Sequence, residues 1–239
     1  MAYQILNSDK RLFVDMADVE SRQNVERVFH QARKHGPHPV LRQEAAWEQH
    51  SGMTASVVLD REEGVFKAWY MAGFYAKDQE HVQCLATSED GIHWERPELE
   101  IHEALGSKRN NIVIPASHHD GKDHWETMLK DNEDPDPQRR YKAIGWSSYD
   151  WDGPLSGIYS ATSPDGLQWS HSPEPVFRFH PRPDADDLGP VGDAQSLMID
   201  TEKRQYVAFL RGGPDRLMSV SEDFVRWTAP RPFLSPLHE

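Results

Sequence analysis

Ser88-Glu89-Asp90-Gly91-Ile92-His93-Trp94 recurs as Ser163-Pro164-Asp165-Gly166-Leu167-Gln168-Trp169, and again, altered, as Ser221-Glu222-Asp223-Phe224-Val225-Arg226-Trp227. The shared pattern is Ser-x-Asp-Gly-apolar-x-Trp, with Trp-to-Trp intervals of 75 and 58 residues. Ser and Asp side chains bond the backbone N–H groups of a tight turn, and Gly accepts a positive φ. The Trp is expected to start a strand and pack on a neighbouring unit. Phe224 in place of Gly predicts a different turn in the third copy.

Upstream of each box lies a second shared element: an apolar strand, an Asp turn and an aromatic-led strand. The copies read Ser56–Asp60 then Val65–Tyr70, Thr127–Asp131 then Arg140–Ile144, and Ser196–Asp200 then Gln205–Leu210. From the Asp to the leading aromatic is six residues in the first and third copies and ten in the second. The excess is Glu133-Asp134-Pro135-Asp136, which reads as a longer turn. A third strand precedes each box, at Val82–Thr87, Ile158–Thr162 and Leu217–Val220, and a fourth fits after the Trp. Only Asn24–Lys34 has a helical pattern.

Repeated three- or four-stranded units are the signature of propeller blades. The expected fold is all-β, one β-propeller domain over 1–239. A lead-in over 1–46 precedes blade units at 47–108, 109–182 and 183–239. Three units do not close an ordinary ring. Either the sequence belongs to a longer protein, or partners close the ring, or the N-terminal region adds strands. Open blade edges also favour self-association.

The chain of 239 residues is 37% hydrophobic and 10% aromatic, enough for a core of this size. Its formal charge of −13 repels phosphate backbones and anionic lipid heads, so neither nucleic acid nor membrane is an expected partner. No apolar run is long enough to span a bilayer. Met1–Asp15 lacks the pattern of a signal peptide, so the chain reads as cytoplasmic; a secreted or periplasmic chain trimmed of its signal would look the same. Cys84 stands alone in an alternating strand and is expected to be buried.

With the repeat laid out, the chain resembles the five-bladed propeller glycoside hydrolases of families 32, 43, 62 and 68, and among them a bacterial glycosyl hydrolase-like branch. The residues that carry this are Leu12–Asp15, Pro39–Leu41 with Trp47-Glu48, Ser88–Trp94, Asn110–Val113, Asp134–Lys142, and Gly192-Asp193 before Tyr206–Arg211. The resemblance implies hydrolysis of a glycosidic bond in a neutral saccharide by carboxylates pointing into a central funnel from the innermost strands. A glycosidic oxygen must be protonated while a second carboxylate attacks or activates water, which needs two acids with separated pKa values.

Inward carboxylates should lie at or before the strand that opens each blade. Counting back from Asp60, Asp131 and Asp200 gives Glu48, then Glu126 or Asp123, then Asp193. Asp193 and Glu48 are the expected acid/base or nucleophile pair and Glu126 the orienting carboxylate. Trp47, Trp125 and His124 are the expected saccharide contacts, with Trp146 and Trp151 also placed to stack. The Asn-Asp-Pro motif of the hydrolases is absent. Asp131 aligns with the turn residues Asp60 and Asp200, and the box acids Asp90, Asp165 and Asp223 are structural for the same reason. His118, His119, Asp120 and His124, like His30, His35 and His38, lack metal-site spacing and read as solvated loops. No cofactor is expected, although a structural calcium ion in the funnel would be compatible. The rival expectations are a non-catalytic sugar-binding or assembly propeller and a phosphorolytic enzyme of related architecture.

Overall fold

The computed structural model describes residues 19–49, 55–73, 81–116, 119, 123–147, 150–181, 189–193 and 195–235. Leu12–Asp15, His118, Asp120 and the last four residues lie outside these. The chain divides into two compact units, Met1–Pro39 and Val40–Glu239. The described residues of the first carry no helix. The helix expected over Asn24–Lys34 is therefore not formed: Val25, Val28 and Phe29 are exposed, and an apolar stripe that buries nothing leaves a short helix without its main support.

The described residues of the second unit form thirteen strands in three antiparallel sheets. The first joins β1 (Ala55–Asp60), β2 (Val65–Gly73), β3 (His81–Ser88) and β4 (Ile112–Ile114) in sequence order. The second joins β5 (Asp123–Lys130), β6 (Tyr141–Ser147), β7 (Gly157–Ser163) and β8 (Ser170–His171), with β9 (Phe177–Arg178) also on β7. The third joins β10 (Gln195–Asp200), β11 (Gln205–Gly212), β12 (Asp215–Ser221) and β13 (Arg231–Leu234). The opening strands of successive sheets are laced together. Ser56 Oγ donates to Glu126 O (2.8 Å) and accepts from Met128 N (2.9 Å), and Thr127 Oγ1 donates to Gln195 O (3.3 Å).

The box closes a local turn in all three sheets. Ser88 Oγ accepts from Gly91 N (2.8 Å), and Asp90 Oδ1 accepts from Ile92 N and His93 N (both 2.8 Å). Ser163 with Asp165 and Ser221 with Asp223 repeat the set. The third turn does not differ as Phe224 led us to expect; Phe224 adopts φ 61° and keeps the bonds. Gly166 explains what glycine contributes elsewhere. Its φ is +76°, and a Cβ there would lie 2.6 Å from Trp69 of the preceding sheet. Trp69 Nε1 donates to Gly166 O (2.8 Å) across this seam.

Among the described residues two of the three core clusters fill the seams, and the third packs Tyr70, Val82 and Ile112 of the first sheet with Leu41 and Trp47. One seam cluster packs Trp69 and Leu85 against Trp125, Met128, Tyr141 and Tyr159; the other packs Ile144, Ile158 and Phe177 against Leu197, Tyr206 and Phe224. The first seam also holds a buried charge group. Asp60 accepts from Lys130 Nζ (2.8 and 2.9 Å) and Tyr141 OH (2.8 Å), with Lys67 Nζ at 3.1 Å. The expected long turn at Glu133–Asp136 ends in a 3₁₀ turn, Pro137–Arg139, capped by Asp136, and its Asp134 pairs with the fully buried Lys142 (2.5 Å).

Candidate functional site

Glu126, on the strand opening the second sheet, feels the charge of Asp193, which stands just before the strand opening the third. Glu126 is the extra residue of a β-bulge: the β5–β6 register slips between Trp125 and Thr127. Such a bulge re-aims a side chain that regular alternation would place elsewhere. The Glu126 carboxyl accepts from Trp146 Nε1 (3.2 Å). Its pKa is raised, by burial first and also by the charge of Asp193, against the opposing effect of the Trp146 and Gln195 N–H groups. Asp193 lies just before β10 and forms an ion pair with Arg211 of β11. Gly192 N donates to Arg211 O (2.6 Å), which holds the Asp193 loop to that strand.

Beside Asp193 and Arg211 opens a cavity of about 710 Å³, walled also by Trp151, Phe179, His180 and Leu217. Aromatic rings run from it toward Glu126. Trp151 stands edge-on to Phe179 (5.7 Å between centroids), Phe179 meets Trp146 (6.3 Å), and His124 stacks flat on Trp146 (3.9 Å, 5°). His81 completes the row against His124 (4.2 Å). Asp193, Arg211 and the exposed indole of Trp151 line the cavity, and Glu126 is joined to its wall through Trp146 and Phe179.

Glu48 is not part of it. Its Oε1 accepts from Tyr70 OH (2.5 Å) and Arg96 Nε (2.8 Å), and its Oε2 from Glu44 N (2.7 Å), Ala45 N (2.9 Å) and Arg96 Nη2 (3.1 Å). Burial alone would raise its pKa; Arg96 and the other donors outweigh burial and lower it. Trp47 Nε1 donates to Asn111 Oδ1 (2.9 Å), whose Nδ2 donates to Tyr70 OH (2.7 Å). Trp47-Glu48 therefore clamps the segment before β1 onto the first sheet.

No family model matches the chain, and no curated protein does. Solved structures do. An N-acetylgalactosamine deacetylase from F. plautii, in complex with blood group B trisaccharide, aligns with a TM-score of 0.53 at 19% identity, over 77% of this chain and 54% of that one. A fructofuranosidase from Schwanniomyces occidentalis complexed with fructose aligns at 0.52 and 14%, over 74% and 33%. A glycosyl hydrolase from Bacteroides ovatus aligns at 0.51 and 15%, over 80% and 54%. The chain shares its fold with these structures. The chain spans between 33% and 54% of the length of these neighbours.

The other residues singled out in sequence fall at different places in this propeller. Trp125 is buried in the seam of the first two sheets, and neither it nor Trp47 lines the cavity. His124 and Trp146 are half-buried in the aromatic row. Asp123, the alternative to Glu126, is buried and bonded to His119 Nδ1 (2.9 Å). Asp131 acts in its turn, accepting from Glu133 N (2.9 Å). Cys84 is buried, and burial pushes its thiol pKa well up. Among the described residues no group of three His, Cys, Asp or Glu could hold a metal ion, and no helix is long and apolar enough to cross a membrane. Arg211 and Phe179 were not anticipated. The register could have found Arg211: Gln195 pairs with Leu210, which sets the next residue of β11 beside the Asp193 loop.

Proposed function

We propose that this propeller binds a neutral saccharide in the cavity beside Asp193 and cleaves a glycosidic bond there. Glu126 is the proton donor and Asp193 the second carboxylate. The observation that carries this reading is the bulged Glu126, its pKa raised by burial and by Asp193, at the end of an aromatic row leading to the cavity. Glycoside hydrolysis needs one carboxyl kept protonated to meet the leaving oxygen and another kept ionised to attack or to activate water. Arg211 forms an ion pair with Asp193 at the mouth of the cavity. Trp151 offers an exposed face of the kind that stacks on sugar rings. The net charge of −13 suits an uncharged ligand better than nucleic acid or an anionic membrane. No cofactor is needed, and blade units 47–108, 109–182 and 183–239 act within one domain.

A panel of aryl glycosides tests this. Turnover of one member should fall by about 10²–10⁴-fold in Glu126→Gln and in Asp193→Asn. Turnover unchanged in both variants overturns the assignment. The closed bonding of Glu48, which withholds one of the three carboxylates expected in the funnel, favours a second reading: a saccharide-binding propeller without hydrolysis. Its signature is glycan binding weakened by Trp151→Ala, with no turnover in the wild type.

A further inference from the structure

The second sheet opens differently from the other two. In the first, β1 and β2 pair without a slip, with Ser56 opposite Trp69 and Ala55 opposite Tyr70. In the third, likewise, Ser196 stands opposite Phe209 and Gln195 opposite Leu210. Thr127 with Ile144 is the corresponding pair of the second sheet, and the next pair, Trp125 with Gly145, comes only after Glu126 is passed over. Gly145 thus holds the place of Tyr70 and Leu210, whose side chains are fully buried. One sheet of the three carries glycine there, and the same sheet carries the bulge.

Close approach links the two features. A Cβ on Gly145 would lie 2.7 Å from His124 O, 2.8 Å from Trp125 Cα and 2.9 Å from Trp125 Cδ2. The first two are backbone atoms of the bulged strand, which cannot swing aside as the end of a long side chain can. In a regular antiparallel pair, facing Cβ atoms stand about 4.5–5.5 Å apart, so this crowding belongs to the bulge. Trp125 takes up the room. It is the large member of its pair and sits on the opening strand, whereas in the first sheet the opening strand supplies Ala55 and its partner is Tyr70. The bulge also disrupts the ladder around Glu126. Ser56 Oγ of the first sheet meets that need, donating to Glu126 O (2.8 Å) and accepting from Met128 N (2.9 Å).

We propose that Gly145 is a positioning residue for Glu126, the bulge being possible only where no side chain fills that place; this rests on the reading of Glu126 as the proton donor. Any side chain at 145 presses on the backbone of His124 and Trp125 and drives β5 toward the regular register of the other two sheets. A slip of one residue turns the side chains of a strand to its opposite face. Glu126 then leaves its place between Trp146 Nε1 and the backbone N–H of Gln195.

The test is a stability cycle in the full-length chain between Gly145→Ala and deletion of Glu126, which gives β5 and β6 the regular pairing. Gly145→Ala should lower the urea midpoint of the wild type. Where Glu126 is deleted it should leave the midpoint unchanged or raise it, since alanine suits a regular strand better than glycine. If Gly145→Ala alone does not fold, recovery of folding on deleting Glu126 is the same result. An equal loss in both backgrounds, or no recovery, overturns the proposal, because the glycine would then serve the strand and not the bulge. Carboxyl-carbon NMR adds a reading that lost stability alone does not move. In folded Gly145→Ala, Glu126 should titrate near the ordinary glutamate value and ignore Asp193→Asn; a Glu126 that titrates as in the wild type also overturns the proposal. Neither measurement uses a saccharide, so a failure of the hydrolytic reading and a failure of the Gly145 assignment are told apart.

Discussion

Replacing Asp60 by Asn separates the charge of the first seam from its geometry. Asn Oδ1 can still accept from Glu62 N and so keep the turn. What disappears is the negative charge facing Lys67 and Lys130, whose side chains are only 8% and 7% exposed. Breaking a buried ion pair from one side costs about 3–5 kcal/mol. The lower end applies here, since Glu63 and Glu62 stay within 2.7 Å of the two ammonium groups. A loss of about 3 kcal/mol corresponds to a midpoint lowered by about 6–12 °C for a chain of this size. Tyr141→Phe removes two hydrogen bonds, the one donated to Asp60 and the one accepted from Lys67 Nζ (3.1 Å), and should cost about 2–4 kcal/mol. The pH dependence supplies an internal check. Burial by itself would raise the Asp60 pKa, but Lys130, Tyr141 and Lys67 outweigh it and hold it far below the usual range. A depressed folded pKa gives stability that is complete above the unfolded value of about 3.9 and lost as pH falls through the folded one. The gap between wild type and Asp60→Asn should therefore be constant near neutrality and narrow below about pH 4. Chemical denaturation across pH measures both quantities. A gap under about 1 kcal/mol at neutral pH, or one that widens in acid, would refute the reasoning.

Gly166→Ala should destabilise by about 1–3 kcal/mol, because the new Cβ meets Trp69 at 2.6 Å on a left-handed backbone; a thermal melt shows it. Gly91→Ala, where Phe66 is the nearest neighbour at 3.8 Å, should cost less. Glu48→Gln should lower stability by about 2–4 kcal/mol while leaving saccharide turnover intact, which separates a clamp from a catalytic acid. Trp146→Phe removes a donor that lowers the Glu126 pKa. A proton donor works only while protonated, so the high-pH limb of a pH–rate profile should move to higher pH.

The repeated box and the strand pairs were legible because their bonds are local: Ser88 reaches Gly91, and Asp90 reaches His93, three residues on. Leading aromatics identified the second strands, but not that Tyr141 and Tyr206 would bond aspartates 81 and 75 residues away. Asn24–Lys34 misled because its few apolar residues show a helical period that buries nothing. Glu126 and Asp193 could be named from their distance to the hairpin aspartates. The bulge that turns Glu126 could not, since it appears only once β5 and β6 are paired. Glu48 looked equivalent by the same counting. Its donors Tyr70 and Arg96 lie 22 and 48 residues downstream, where spacing carries no signal.

The pairing of Glu126 with Asp193 is what the functional proposal stands on, and carboxyl-carbon NMR titration measures it without any substrate. Glu126 should titrate above the ordinary glutamate value, as burial and the neighbouring carboxylate require, and should move down in Asp193→Asn. A Glu126 that titrates at the ordinary value and does not respond to Asp193→Asn would show that the two carboxyl groups do not share a site.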